Sequence, residues 1–125
     1  MKKTLSLILA VLMLLSVTVA FASCETEDTF KVGFIFLHDE NSTYDKNFID
    51  AAKAACAALG LTEDQMILKV NVPEGAECYE AAKSLVADGC DVIFADSFGH
   101  EDYMIRAAKE FPNVQFCHAT GTKAH

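Results

Sequence analysis

Apolar and polar positions fall in blocks along this chain. Val32 to Leu37 is a near-continuous apolar run that stops abruptly at seven mostly polar residues, His38 to Tyr44. Such a run predicts a strand buried on both faces, as in the interior of a parallel sheet. Phe48, Ala52, Ala55, Cys56 and Leu59 then recur at helical spacing, and Gly60 is placed as the stop. Met66 to Val72 predicts a second strand. Cys78, Ala82, Leu85 and Val86 mark a second helix, which Gly89 ends. Asp91 to Ala95 predicts a third strand. Met104, Ala107, Ala108 and Phe111 mark a third helix stopped by Pro112, and Val114 to Ala119 predicts a fourth strand. Strands and helices that alternate with short connections predict an α/β fold, a doubly wound parallel sheet with right-handed crossovers. The expected strand order is 2-1-3-4.

That order puts the polar cluster at the carboxyl end of a central strand and at the start of a helix. Open α/β sheets bind ligands there. A helix start also offers unpaired backbone N–H groups and a positive dipole end. The loops after strands one, three and four should emerge at the same edge. They carry His38-Asp39-Glu40-Asn41-Ser42-Thr43-Tyr44, Asp96-Ser97-Phe98-Gly99-His100 and His118-Ala119-Thr120-Gly121. Hydroxyls, carboxylates, an amide and the rings of Tyr44 and Phe98 suit a polar organic molecule with a flat or sugar-like part.

Each of these residues also has a purely structural reading. Ser42, with Asp45 three positions later, fits a capping pair. Asn41 fits a turn, and Tyr44 fits the first apolar residue of the helix. Asp39 and Glu40 fit solvated charges. Phe98 beside Gly99 matches no core period, so ligand stacking is the expectation for it.

The first residues bear on the compartment. A short basic head, Met1-Lys2-Lys3, precedes residues 4–20, whose only polar side chains are Thr4, Ser6, Ser16 and Thr18. This is a secretory signal pattern and is set aside from fold reasoning. Ala20-Phe21-Ala22 fits ordinary cleavage. Phe21-Ala22-Ser23-Cys24 resembles a bacterial lipobox, in which Cys24 is lipidated and becomes the mature N-terminus. An uncleaved membrane anchor is the third option. The lipobox is the expectation adopted: signal 1–23, acidic linker 24–30 and a ligand-binding lobe 31–125, lipid-anchored on the extracytoplasmic face of the cell membrane.

Without the leader, eight basic residues face eighteen acidic ones. The absence of a Lys/Arg cluster argues against nucleic acid and against anionic lipid heads. The four later cysteines, Cys56, Cys78, Cys90 and Cys117, are an even number in an exported chain, which permits disulfides. Their positions on helix faces and in a strand fit small buried hydrophobes better, so free thiols are expected.

Two other chemistries compete. His38, His100 and His118 share the rim, and Cys117 adjoins His118. No paired ligand spacing supports a metal, and neighbouring strand positions point to opposite faces. No metal or cofactor is expected. An enzyme would need a motif such as Gly-x-Ser-x-Gly or a Gly-rich phosphate loop, and the chain has neither. The alternatives are a binding protein for another small polar ligand such as a sugar and, behind it, a small exported flavodoxin-like enzyme or metal-binding domain. A binding protein needs only complementary groups and a closing hinge.

Lys31-Val32-Gly33-Phe34-Ile35-Phe36, then Asn41 to Phe48, then Asp91 to His100, following a signal or lipobox, resemble the basic membrane protein family. These are substrate-binding lipoproteins of ABC importers, related to purine nucleoside receptors. The resemblance runs over essentially the whole chain but only the first part of a family member. It implies one lobe of a type I periplasmic-binding-protein fold, with an interlobe cleft that captures a purine nucleoside and docks to ABC permease subunits. In the family the segment after the first strand commonly reads Asn-Asp-x-Ser-Phe-Asn. Asn41, Ser42 and Tyr44 are the counterparts here, with Ser42 in place of the acidic residue and Tyr44 in place of phenylalanine. Asp96, Ser97, Phe98 and Gly99 match the second ligand loop of that lobe. The fourth strand would be an exposed edge, so the chain is expected to be the N-terminal part of a longer protein, a complete flavodoxin-like domain being the other reading.

Overall fold

The computed structural model describes residues 29–123. The candidate signal segment, Cys24 and most of the acidic linker lie outside the described residues. The elements alternate in chain order: β1 (Val32–Ile35), α1 (Thr43–Ala58), β2 (Met66–Lys69), α2 (Ala76–Ala87), β3 (Val92–Ala95), α3 (Glu101–Glu110) and β4 (Gln115–His118). Short 3-10 turns precede β2 and α3, at Glu63–Gln65 and Phe98–His100. All strand pairings are parallel and the sheet order is β2-β1-β3-β4, as the sequence predicts.

Every residue of β1 is buried because the strand is central and covered on both faces. The two-residue alternation of a strand divides its side chains between two cores. Val32, Phe34 and Phe36 pack with Ile49, Ala52 and Cys56 of α1. Ile35 turns the other way and joins Ile93, Leu85, Ala82, Met104 and Ala107, under α2 and α3. Gly33 faces that second layer. A Cβ there would lie 2.8 Å from Leu85 Cδ1 and 3.2 Å from Cys90 Sγ. The missing side chain lets α2 sit close to the central strand.

All four strands are shorter than their predicted ranges, and the ends of β1 and β2 show why. Pairing in β1 ends at Ile35, although Phe36 stays buried and its N–H still donates to Lys69 O at 2.8 Å. The stretch 66–72 leaves the strand after Lys69, because Asn71 adopts φ +56°. Asn tolerates this left-handed turn better than most residues. The turn folds Val72 back into the core, where its N–H donates to Phe36 O at 3.0 Å. Gly60 and Gly89 end α1 and α2 at φ +73° and +83°, a conformation that favours glycine.

Cys56, Cys78 and Cys90 are buried, Cys117 is partly so, and all four are free. Burial pushes the Cys78 thiol up to about 12 and raises those of Cys56 and Cys90, so these three sulfurs are packed as poor nucleophiles. Among the described residues, no helix is long and apolar enough to cross a membrane.

Candidate functional site

The rim at the carboxyl ends of the strands is built from four loops. Parallel strands with helical crossovers deliver every strand-to-helix loop to the same edge of the sheet. The loop after β1 is organised by one carboxylate. Asp45 lies in the first turn of α1 and is 1% exposed. Its Oδ1 accepts from His38 N at 2.9 Å. Its Oδ2 accepts from the Ser42 hydroxyl at 2.5 Å and contacts His38 Nδ1 at 3.1 Å. Ser42 is the N-cap of α1, its hydroxyl oxygen accepting from Asp45 N at 3.3 Å. The capping reading of Ser42 is thus observed, with Asp45 as its partner.

Asn41 is exposed and is held as a turn residue. Its backbone N–H and its side-chain amide both donate to Asp39 Oδ1, at 2.9 Å each. Asp39 also accepts from Asn71 Nδ2 at 3.3 Å, which links this loop to the one after β2. Glu40 pairs with Lys53 at 2.5 Å on the surface. Tyr44 does not enter the core: it is 48% exposed, with its ring 5.0 Å from that of Phe48. Its hydroxyl donates to Asp96 O at 3.1 Å and ties the start of α1 to the end of β3.

The loop after β3 is locked from two sides. Ser97 is buried, and its hydroxyl donates to Glu74 Oε1. The same oxygen accepts from Gly99 N at 2.9 Å. His118 Nε2 contacts Ser97 O at 2.6 Å, and a carbonyl only accepts, so that nitrogen carries the proton. Between these anchors Phe98 projects outward, 65% exposed. An exposed phenyl ring on a pinned turn is a ready stacking surface. The Ser97 hydroxyl and the Gly99 N–H hold the Glu74 carboxyl below its ordinary value.

Asp96 sits beneath these loops, 2% exposed. Its Oδ1 accepts from Leu37 N at 3.3 Å, while Oδ2 is buried without a protein donor. Asp96 and Asp45 accept from consecutive backbone N–H groups, those of Leu37 and His38. Burial, then the charge and contact of Asp45, raise Asp96 to about 7. Burial also works to raise Asp45, but the Ser42 hydroxyl and His38 outweigh it and hold that carboxyl at about 2.

The loop after β4 is pinned by Glu101, which is 5% exposed and accepts from Thr122 N and Lys123 N at 2.6 Å each. Thr120 Oγ1 donates to Asp96 O at 3.3 Å. His100 is fully buried and donates from Nε2 to Val72 O at 2.9 Å. It is therefore a core histidine, whereas His38 is on the surface. Among the described residues no group of three or more His, Cys, Asp or Glu is placed to hold a metal ion.

Of the residues singled out from sequence, Ser42, Tyr44, Asp96 and Ser97 are brought together, with Phe98 and Gly99 beside them. Asn41 lies on the adjoining turn. Sequence reasoning gave Asp45 only a capping role, passed over Glu74 and Glu101 as rim-builders, and placed His118 on the rim without its partner Ser97. Glu74 had a topological signal, since Pro73-Glu74-Gly75 follows β2 and must lie at the same rim as the other strand-to-helix loops.

A separate groove of about 530 Å³ runs along the α1 face of the sheet. Phe34, Phe36, Phe94, Ala55 and Leu59 line it, and it meets the rim only at Asp96, His118 and Ala119. Its chemistry is that of a sheet face: α1 covers one side, while Phe94 remains 40% exposed. The polar rim and this apolar groove are therefore different features.

No protein-family model matches the chain. A purine-binding protein of Brucella abortus (strain 2308) is 38% identical over 104 residues, covering 81% of this chain and 29% of that protein. The chain thus spans less than a third of the length of this curated relative. An ABC transporter solute-binding protein from Conexibacter woesei DSM 14684 superposes with a TM-score of 0.59 at 19% identity, covering 70% of this chain and 28% of that one. A transcriptional activator of the comK gene from Bacillus halodurans superposes at 0.64 with 18% identity, covering 76% and 31%. At these identities the two structures establish the α/β fold alone.

Proposed function

We propose that this chain is the first lobe of an extracytoplasmic substrate-binding protein of an ABC importer, and that its rim is one wall of a cleft that captures a purine nucleoside. The observation that carries this reading is the 38% identity to a purine-binding protein across 81% of the chain. The rim has the chemistry such a ligand needs. Phe98 and Tyr44 offer ring faces for a flat base, and Glu74 and Asp39 offer carboxylate oxygens to its N–H and hydroxyl groups. A second lobe would close over the opposite side, exclude water and present the loaded protein to permease subunits. The role is binding, not catalysis. Lipidation at Cys24 would hold the protein at the membrane, and incorporation of a fatty-acid analogue that is lost in Cys24→Ala tests it.

Thermal-shift measurements on the longer protein that carries this lobe, against nucleosides, sugars and amino acids, test the ligand class. Stabilisation by adenosine or guanosine is the expected result. A shift with sugars alone would overturn the nucleoside assignment while leaving a transport role intact.

A further inference from the structure

The turn after β3 is held by one carboxylate oxygen. Ser97 and Gly99 flank Phe98, and both donate to Glu74 Oε1, Ser97 through its hydroxyl and Gly99 through its N–H at 2.9 Å. Glu74 lies close against the turn because Gly99 has no side chain. A Cβ there would stand 2.5 Å from Glu74 Cδ and 2.7 Å from Glu74 Cβ. His118 Nε2 holds Ser97 O at 2.6 Å from β4. The exposed ring of Phe98 thus stands on a fixed turn, with a carboxylate at its foot.

The protein uses only half of that carboxylate. Two donors occupy Oε1, and among the described residues none reaches Oε2. Glu74 is an exposed residue, so a ligand at the rim can reach it. The other acidic side chains of the rim are engaged or enclosed. Asp39 accepts from the amides of Asn41 and Asn71, and Glu40 pairs with Lys53. Asp45 is turned to His38 and Ser42, and Glu101 to the N–H groups of Thr122 and Lys123. Asp96 is 2% exposed. Donation from Ser97 and Gly99 holds the Glu74 carboxyl below its ordinary value, so it is ionised at neutral pH. An ionised carboxylate only accepts hydrogen bonds. A flat ring stacked on Phe98 would meet an acceptor from Glu74 and no donor.

We propose that Glu74 sets the specificity of this wall: Oε1 fixes the turn bearing Phe98, while Oε2 accepts from an N–H group on the edge of the stacked base. This inference rests on the nucleoside reading above and narrows it. The rim should favour purines that carry an N–H donor on the six-membered ring, as adenosine does, over purine riboside, which lacks the 6-amino group. A hydrogen bond to an ionised acceptor is stronger than one between neutral groups.

Glu74→Gln separates the two roles. Gly99 N can only donate, so the amide oxygen takes the place of Oε1 and the amide NH2 takes that of Oε2. The hold on the turn remains, and the outward acceptor becomes a donor. Calorimetric titration of the longer protein with adenosine and with purine riboside reads the difference. The wild-type protein should prefer adenosine by about tenfold, and Glu74→Gln should bring the two affinities close together. Amide exchange at Gly99 in the same protein should stay slower in Glu74→Gln than in Glu74→Ala. Equal affinities in the wild-type protein, or a preference unchanged in Glu74→Gln, would overturn the proposal and leave the nucleoside reading standing. Gly99 exchange as fast in Glu74→Gln as in Glu74→Ala would also overturn it, because a displaced Phe98 turn would then account for the lost preference. Binding of neither nucleoside would refute the nucleoside reading and this inference with it.

Discussion

Replacing Asp96 by Asn should stabilise the chain, with an advantage that grows as pH rises. An Asp carboxyl ordinarily titrates at 3.8, whereas folded Asp96 titrates at about 7. Between those values the folded chain keeps a proton that the unfolded chain has released. Stability contributed by this group is therefore present below the unfolded value and is lost as pH rises through the folded one. One pKa unit corresponds to about 1.4 kcal/mol, so the full interval is worth about 4 kcal/mol, and the part between pH 5 and 7.5 about 3 kcal/mol. Asn preserves the shape and accepts from Leu37 N without titrating. Other groups do not mimic the effect. Burial lowers the pKa of His100, so its contribution has the opposite sign, being lost as pH falls, and it cancels between the two proteins. Asp45, Glu74 and Glu101 are all lowered, and their contributions are lost only toward acid. Urea unfolding of both proteins at several pH values, extrapolated to water, measures the difference directly. A difference that stays constant from pH 5 to 7.5 would mean that Asp96 ionises as an ordinary carboxylate and would refute the reasoning.

Four further outcomes follow from the packing. Gly33→Ala should lose about 1–3 kcal/mol in urea unfolding, because the new methyl meets Leu85 and Cys90 on a central strand; a neutral result would mean that α2 shifts freely. Ser42→Ala should lose about 1 kcal/mol with the α1 cap, read from thermal melts. Glu74→Ala should speed amide exchange at Gly99, with partial rescue in Glu74→Gln, since one oxygen holds both Ser97 and Gly99. Phe98→Ala should change stability by less than about 0.5 kcal/mol, because the ring is exposed, yet weaken adenosine binding by the longer protein.

The strand order was readable from sequence because burial of β1 on both faces and short crossovers leave few topologies. Where the strands stop was less readable. Met66 to Val72 is apolar enough to look like one strand, and only the left-handed turn at Asn71 separates β2 from the residue that folds back into the core. At the rim, residue types near strand ends and the local Ser42–Asp45 cap were found, but the long-range partnerships were not. Asp45 and Asp96 are 51 positions apart, and nothing local signals that both carboxylates are buried at the rim. Glu74 reaches Ser97 and Gly99 from a loop that carries no motif. Phe98 was identifiable because it broke the core period, and it is exposed as that break implies.

The central claim is that this rim is half of a nucleoside cleft. An amide NMR titration of the 125-residue chain with adenosine tests it most directly. Because the chain spans only 29% of the purine-binding relative's length, binding by this lobe alone should be weak, of about millimolar order, or roughly −4 kcal/mol. The shifts should gather at Asn41, Ser42, Tyr44, Ser97, Phe98 and Gly99, and glucose should produce none. Shifts spread along the apolar groove at Phe94 and Leu59, an equal response to glucose, or submicromolar affinity for the chain alone would contradict it.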